Sequence, residues 1–184
     1  NVFCPLPKWE QIESEFFINT LITTDKSPNR AGALALQIKG DPENKEVKNT
    51  IDGELKVVII LGNPFETEHE IQQKIKPAQL VVYIGVYHNC WSKIADVVLP
   101  GQYYSEKKGT FTNKLQQVQA TDIAVKALRR SRPEWQIIVE LAHSLGHKFN
   151  FSDVYQVFAA MAEETKAFSG LSFDQIGDQG MKLK

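Results

Sequence analysis

The clearest hydrophobic pattern lies in the middle of the chain. Lys56-Val-Val-Ile-Ile-Leu61 is a β-branched run that stops at Gly62-Asn63-Pro64, as a strand buried on both faces stops at its carboxyl edge. Thr67 followed three residues later by Glu70 makes a capping box, and Ile71 and Ile75 then share a helical face until Pro77 ends the pattern. Leu80-Val-Val-Tyr-Ile-Gly85 is a second buried run. Strand, helix and strand over residues 55–85 make a single crossover unit, and such units wind in one hand. The predicted fold class is therefore α/β, a doubly wound, Rossmann-like parallel sheet. A short helix around residues 88–94 then leads to a third strand, Asp96-Val-Val-Leu-Pro100.

The flanks read differently. Trp9, Ile12, Phe16 and Phe17 recur at helical spacing within residues 8–22, a polar break with Pro28 follows, and residues 31–38 are a short apolar segment of open type. Residues 40–53 are charged and read as an exposed loop. After Pro100 the texture turns to Gly, Tyr, Ser, Thr and Asn, which predicts a surface loop and a short strand. Thr121 is placed to cap a short helix through Leu128, and Pro133-Glu134 has the chemistry of another helix start. Trp135, Ile138, Val139, Ala142 and Leu145 mark the expected inner face of that helix, and Gly146 its stop. Ser152 opens a further helix with Val154, Val157, Phe158 and Met161 inward, and Ser172 to Ile176 is a short turn. Three parts are expected: residues 1–54 from a preceding domain, 55–128 as the Rossmann-like domain, and 129–184 as a C-terminal helical extension.

Composition narrows the function classes. The chain has 42% hydrophobic and 23% charged residues, and its 21 basic side chains balance 22 acidic ones to a net charge of −1, which is ordinary globular usage. The compact basic clusters, Arg129-Arg130-Ser131-Arg132 and Lys107-Lys108, are too short to track a phosphate backbone, so no nucleic-acid partner is expected. The apolar run at Leu55 to Leu61 falls far short of the roughly 20 residues a spanning helix needs, so no membrane insertion is expected. The opening Asn-Val-Phe-Cys-Pro shows neither a start nor a signal peptide, and a piece of a longer protein is the expectation. Cys4 and Cys90 are too distant in sequence for a disulfide-dense scaffold and too few for an iron–sulfur site, and read as two free thiols.

Candidate chemistry is sparse. Gly62 could admit a phosphate beside the following helix, but a dinucleotide fingerprint needs three glycines in register and they are absent, as is any Gly-Lys-Ser/Thr phosphate loop. His143 and His147 have the spacing of two metal ligands on one helix, yet Gly146 between them ends the helix. No histidine neighbours a nucleophile, and Cys90 beside Trp91 reads as a small buried thiol. Neither a catalytic residue nor a metal site is predicted.

One segment is far sharper. Ile94-Ala-Asp-Val-Val-Leu-Pro100, then Glu106-Lys-Lys-Gly-Thr-Phe-Thr-Asn113 and Val118-Gln119, resembles the signature of the molybdopterin oxidoreductase superfamily, and looks most like the large iron–sulfur subunit of NADH:quinone oxidoreductase. Asn29-Arg-Ala-Gly-Ala-Leu, Leu61-Gly-Asn-Pro64 and Arg132-Pro-Glu-Trp-Gln136 support it in order. In active relatives this region binds one of two pterin–guanine dinucleotides. Here Gly85 and Asn89-Cys-Trp-Ser92 stand where many relatives have an acidic residue and Thr-Glu-Thr-Ala, and Leu115-Gln-Gln117 stands in place of Glu-Gly-Arg. Those departures remove a carboxylate suited to a guanine or ribose and an arginine suited to phosphate.

The resemblance implies a vestigial cofactor fold kept as architecture, with Gly62, Asn63, Asp96, Glu106, Gly109, Thr110 and Asn113 as the candidate residual pocket. It implies a parent complex whose cofactors are iron–sulfur clusters held elsewhere, with no cofactor in this chain and no molybdopterin guanine dinucleotide. The implied partners are other subunits of a respiratory complex and an N-terminal part of the same chain. The implied location is peripheral, on the cytoplasmic or matrix side of an energy-conserving membrane. The alternative is a piece of an active molybdenum or tungsten enzyme of the formate dehydrogenase or nitrate reductase type, binding one guanine-dinucleotide arm.

Overall fold

The computed structural model describes residues 29–38, 55–62, 73, 75–128, 130–177 and 179–184. The expectations over residues 8–22 and 40–53, the Thr67 capping box, Ile71 and candidate Asn63 lie outside the described residues.

The α/β reading holds. Strands β1 (Val57–Leu61), β2 (Leu80–Gly85) and β3 (Val97–Pro100) form a parallel sheet in the order β1-β2-β3. The register runs Ile60 opposite Tyr83, Tyr83 opposite Val98, and Gly85 opposite Pro100. Because strand side chains alternate, β2 sends Val81 and Tyr83 to one face and Val82 and Ile84 to the other, and all four are buried. The first face packs with Ile60, Ile75 and Trp91, the last from helix α2 (Cys90–Ile94). The second packs with Ile137 and Leu141 of helix α3 (Glu134–Ser144) and with Leu99. On that second face Val57, Ile59 and Leu61 of β1 remain about half exposed.

A second core lies around an antiparallel sheet. Strand β4 (Gly109–Thr112) pairs with β5 (Gln117–Thr121), and the short β6 (Met181–Lys182) pairs on the far side of β5. Val118 of β5 is fully buried with Phe158 and Ala162 of helix α4 (Val154–Glu164), Phe168, Leu171 and Ile176 of helix α5 (Phe173–Ile176). Ala35 and Leu36, from the end of helix α1 (Arg30–Ala35), complete it. Asp153 and Ser172 cap α4 and α5 by accepting from Gln156 N and Gln175 N, the side-chain caps that start helices.

Two local expectations are corrected and one open segment is resolved. No helix follows Thr121; that residue ends β5, its hydroxyl donates to the Gly109 carbonyl, and Ala124 N and Val125 N both donate to Ser105 O. Bonds from Ala124, Val125 and Leu128 to Ser105 and Glu106 of the preceding turn outweigh a weak helical tendency in a segment carrying β-branched Ile123 and Val125. Helix α3 faces inward through Ile137 and Leu141, while Ile138 and Leu145 are exposed. Apolar residues nearly encircle this helix, so periodicity fits more than one stripe and the sheet selects among them. Finally, residues 31–38, left open by pattern, lie mostly in α1.

Phe158 meets Phe168 and Phe173 edge-on in the second core. Phe158→Ala is expected to destabilise the chain by about 3–5 kcal/mol, read as a lower urea midpoint.

Candidate functional site

The candidate residues do not converge. Gly62 follows β1 at the carboxyl edge of the parallel sheet, at φ +76, with its N–H donating to Ile84 O and open space beside it. Asp96 lies at the opposite, amino edge, one residue before β3. There its Oδ2 accepts from Val81 N at 2.8 Å while its own N–H donates to Val81 O. The carboxylate therefore extends the β2–β3 pairing by one bond, away from the edge where ligands of parallel sheets bind.

The remaining described candidates lie in and just before the β4–β5 hairpin. Glu106 closes a short 3₁₀ turn (Tyr104–Glu106), its two oxygens accepting from Tyr103 N at 2.9 Å and Leu128 N at 3.3 Å. Gly109 opens β4 opposite Thr121, and Thr110 follows opposite Ala120. Asn113 makes the hairpin turn: its Oδ1 accepts from Leu115 N at 2.9 Å and Gln117 N at 3.1 Å. Its backbone N–H donates to Gln117 O and its carbonyl accepts from Gln116 N. Asparagine suits this place because its short amide mimics a backbone turn.

Sequence reasoning missed Asn29 as a site-building residue. It precedes α1 in a left-handed conformation, and its Oδ1 accepts from Thr112 N at 2.8 Å across 83 positions. Thr112 is the buried polar residue of β4. A Cβ at Gly32 would fall 2.4 Å from that same Oδ1, so the glycine is what allows the amide to reach the strand. The signal was present as Asn29-Arg-Ala-Gly32, four residues whose partner lies in the sharp segment itself.

A second missed cluster sits at the carboxyl end of β2. The Tyr83 hydroxyl donates to Tyr87 O at 3.3 Å and accepts from Asn89 Nδ2 at 3.0 Å, while Asn89 Oδ1 caps α2 by accepting from Trp91 N and Ser92 N. Ser92 Oγ accepts from Asn89 N in return, so Asn89 and Ser92 form a reciprocal cap whose spacing was readable. Outside it, the exposed rings of Tyr87, Tyr103 and Tyr104 contact one another. Cys90 is a free, half-buried thiol beside buried Trp91.

A cavity of about 170 Å³ opens between β3 and α3, lined by Leu99, Pro100, Ile137, Leu141 and the Arg132–Glu140 ion pair. It falls below the roughly 300–1,000 Å³ typical of small-molecule sites. His143 Nε2 lies 2.8 Å from the Phe149 carbonyl, and no group of three His, Cys, Asp or Glu side chains suited to a metal occurs among the described residues. Among those residues, too, no helix is long and apolar enough to cross a membrane.

Residues 6–144 match the model of the molybdopterin oxidoreductase family. The chain is 32% identical over 143 residues to F420-dependent formate dehydrogenase 2 subunit alpha of Methanococcus maripaludis, covering 74% of this chain and 21% of that protein. It is 27% identical over 188 residues to F420-dependent formate dehydrogenase subunit alpha of Methanocaldococcus jannaschii, covering 98% of this chain and 26% of that protein. It is 34% identical over 108 residues to the mitochondrial NADH-ubiquinone oxidoreductase 78 kDa subunit of Candida albicans, covering 59% of this chain and 14% of that protein. The chain thus spans about a fifth to a quarter of the length of the first formate dehydrogenase subunits it matches.

Two outcomes follow from this geometry. Asn113→Ala leaves two turn amides without their acceptor and is expected to cost about 1–3 kcal/mol, with faster hydrogen exchange at Leu115 and Gln117. Burial pushes the Tyr83 phenol above the ordinary 10.0, with the Asn89 amide pulling the other way. The folded chain holds that proton more tightly, so the stability it contributes is complete below pH 10 and is lost as pH rises through the folded-state value. The urea midpoint should fall above pH 10, and less steeply in Tyr83→Phe.

Proposed function

The chain belongs to the molybdopterin oxidoreductase family, and within it we propose a structural role: a domain segment of the large subunit of an electron-transfer complex, acting as scaffold. One observation carries the reading. The family-signature side chains Asn29, Asp96, Glu106 and Asn113 all accept from backbone amides of their own chain. Groups so engaged hold strands and turns, which supports the scaffold reading.

A pterin–guanine dinucleotide fits these residues poorly. Asp96 is at the wrong edge of the sheet, Asn113 is taken up by its turn, and among the described candidates Gly62 is the one at the carboxyl edge. We assign the parent to the iron–sulfur subunit of an NADH:quinone oxidoreductase, consistent with the 78 kDa relative. On this reading, iron–sulfur clusters lie elsewhere in that protein, the partners are its other subunits and the rest of its own chain, and its place is peripheral, on the cytoplasmic or matrix side of the membrane.

A second reading, part of a formate dehydrogenase that holds one guanine-dinucleotide arm, is favoured by the alpha subunits that align over most of this chain. Calorimetric titration of the folded chain with GMP and GDP separates the two. The scaffold reading expects no saturable heat at about 1 mM ligand, whereas binding near about 1 μM would replace it with the second.

A further inference from the structure

The carboxyl end of β2 is closed from within. Gly85 ends that strand with a backbone outside the left-handed region, so conformation alone would admit a side chain. Space does not. A Cβ at Gly85 would lie 2.1 Å from the Tyr83 hydroxyl oxygen, 2.2 Å from Cζ and 2.8 Å from Cε2.

Nor can the ring swing aside freely. Tyr83 is 1% exposed and packs with Ile60, Ile75, Val81 and Trp91. Its hydroxyl is bonded to Tyr87 O and to Asn89 Nδ2, and the same Asn89 caps α2. Moving the phenol would therefore disturb both a core and a helix start. Parallel sheets receive ligands just outside the carboxyl ends of their strands, and here the face of β2 leading to that end is occupied by the phenol.

We propose that Tyr83, Gly85 and Asn89 form an internal plug. The phenol takes the place that a side chain at position 85 or the ring of a bound molecule would otherwise fill, Gly85 is its steric complement, and Asn89 is its latch. The ligand class that the vacated place would accept is a planar ring bearing one hydroxyl or amino group. The inference rests on the scaffold reading only in treating the carboxyl edge as the place where a ligand would come.

A double-mutant cycle read by thermal unfolding tests it. In the unaltered chain, Gly85→Ala lowers the midpoint by about 5 °C or more. In a Tyr83→Leu background, which removes the ring but keeps an apolar side chain, the same change lowers it by less than about 1 °C. Equal cost in both backgrounds overturns the plug. Should Gly85→Ala alone fail to fold, recovery of cooperative unfolding in the double variant supports the plug, and failure to recover it counts against it. Added p-cresol should raise the midpoint of a Tyr83→Gly variant, in which the whole side chain is vacated, and leave that of the unaltered chain unchanged. Stabilisation of both or of neither overturns the ligand class. No nucleotide enters these measurements, so GMP binding by the unaltered chain would sink the scaffold reading while the cycle still reports on the plug.

Discussion

Strand β2 is the element on which the parallel half of the molecule depends. It is hydrogen-bonded on both sides, to β1 and β3, and buried on both faces from Val81 to Gly85. Everything packed there is registered to it: Ile60, Ile75 and Trp91 against Val81 and Tyr83, and Ile137 and Leu141 against Val82 and Ile84. Such a strand has no solvent side on which polar residues could be placed, which is why its sequence is an unbroken apolar run. Even its last residue is constrained, because the phenol of Tyr83 leaves room only for glycine at position 85.

The antiparallel half is organised by one polar contact between segments far apart in sequence. Asn29 accepts from Thr112 N and ties α1 to β4, bringing Ala35 and Leu36 against Val118, Phe158 and Phe168. At the turn end of the hairpin, Asn113 forms the turn and Lys182 of β6 pairs with Gln117. The family signature is thus legible as architecture. Its carboxylates and amides accept from backbone donors of the strands and turns, part-buried ones at Val81, Thr112 and Gln117 and exposed ones at Tyr103 and Leu115.

The sheet was readable because three β-branched runs and their Gly or Pro ends leave little alternative, and all three became parallel strands. The helix expected to open at Ser152 is present with Asp153 as its cap, and the short turn expected at Ser172 to Ile176 is a single helical turn. What the sequence concealed depended on contacts between distant segments. The stretch after Thr121 is not helical because Ser105, nineteen and twenty positions earlier, accepts from Ala124 and Val125. The inward stripe of α3 was ambiguous among several apolar residues until the sheet chose Ile137 and Leu141. For the candidate site, the signature located residues that belong together in the hairpin, Gly109, Thr110 and Asn113. Spacing alone could not reveal that Asp96 points to the opposite edge of the other sheet.

If the signature residues hold the fold in place of a guanine-dinucleotide arm, the protein should carry no such group out of the cell. The direct measurement is to purify the chain from a host that synthesises pterin–guanine dinucleotides, release bound small molecules with acid, and quantify guanine nucleotide per chain by chromatography. The scaffold account predicts none above the level of an unrelated control protein. Guanine nucleotide approaching one equivalent per chain would contradict it.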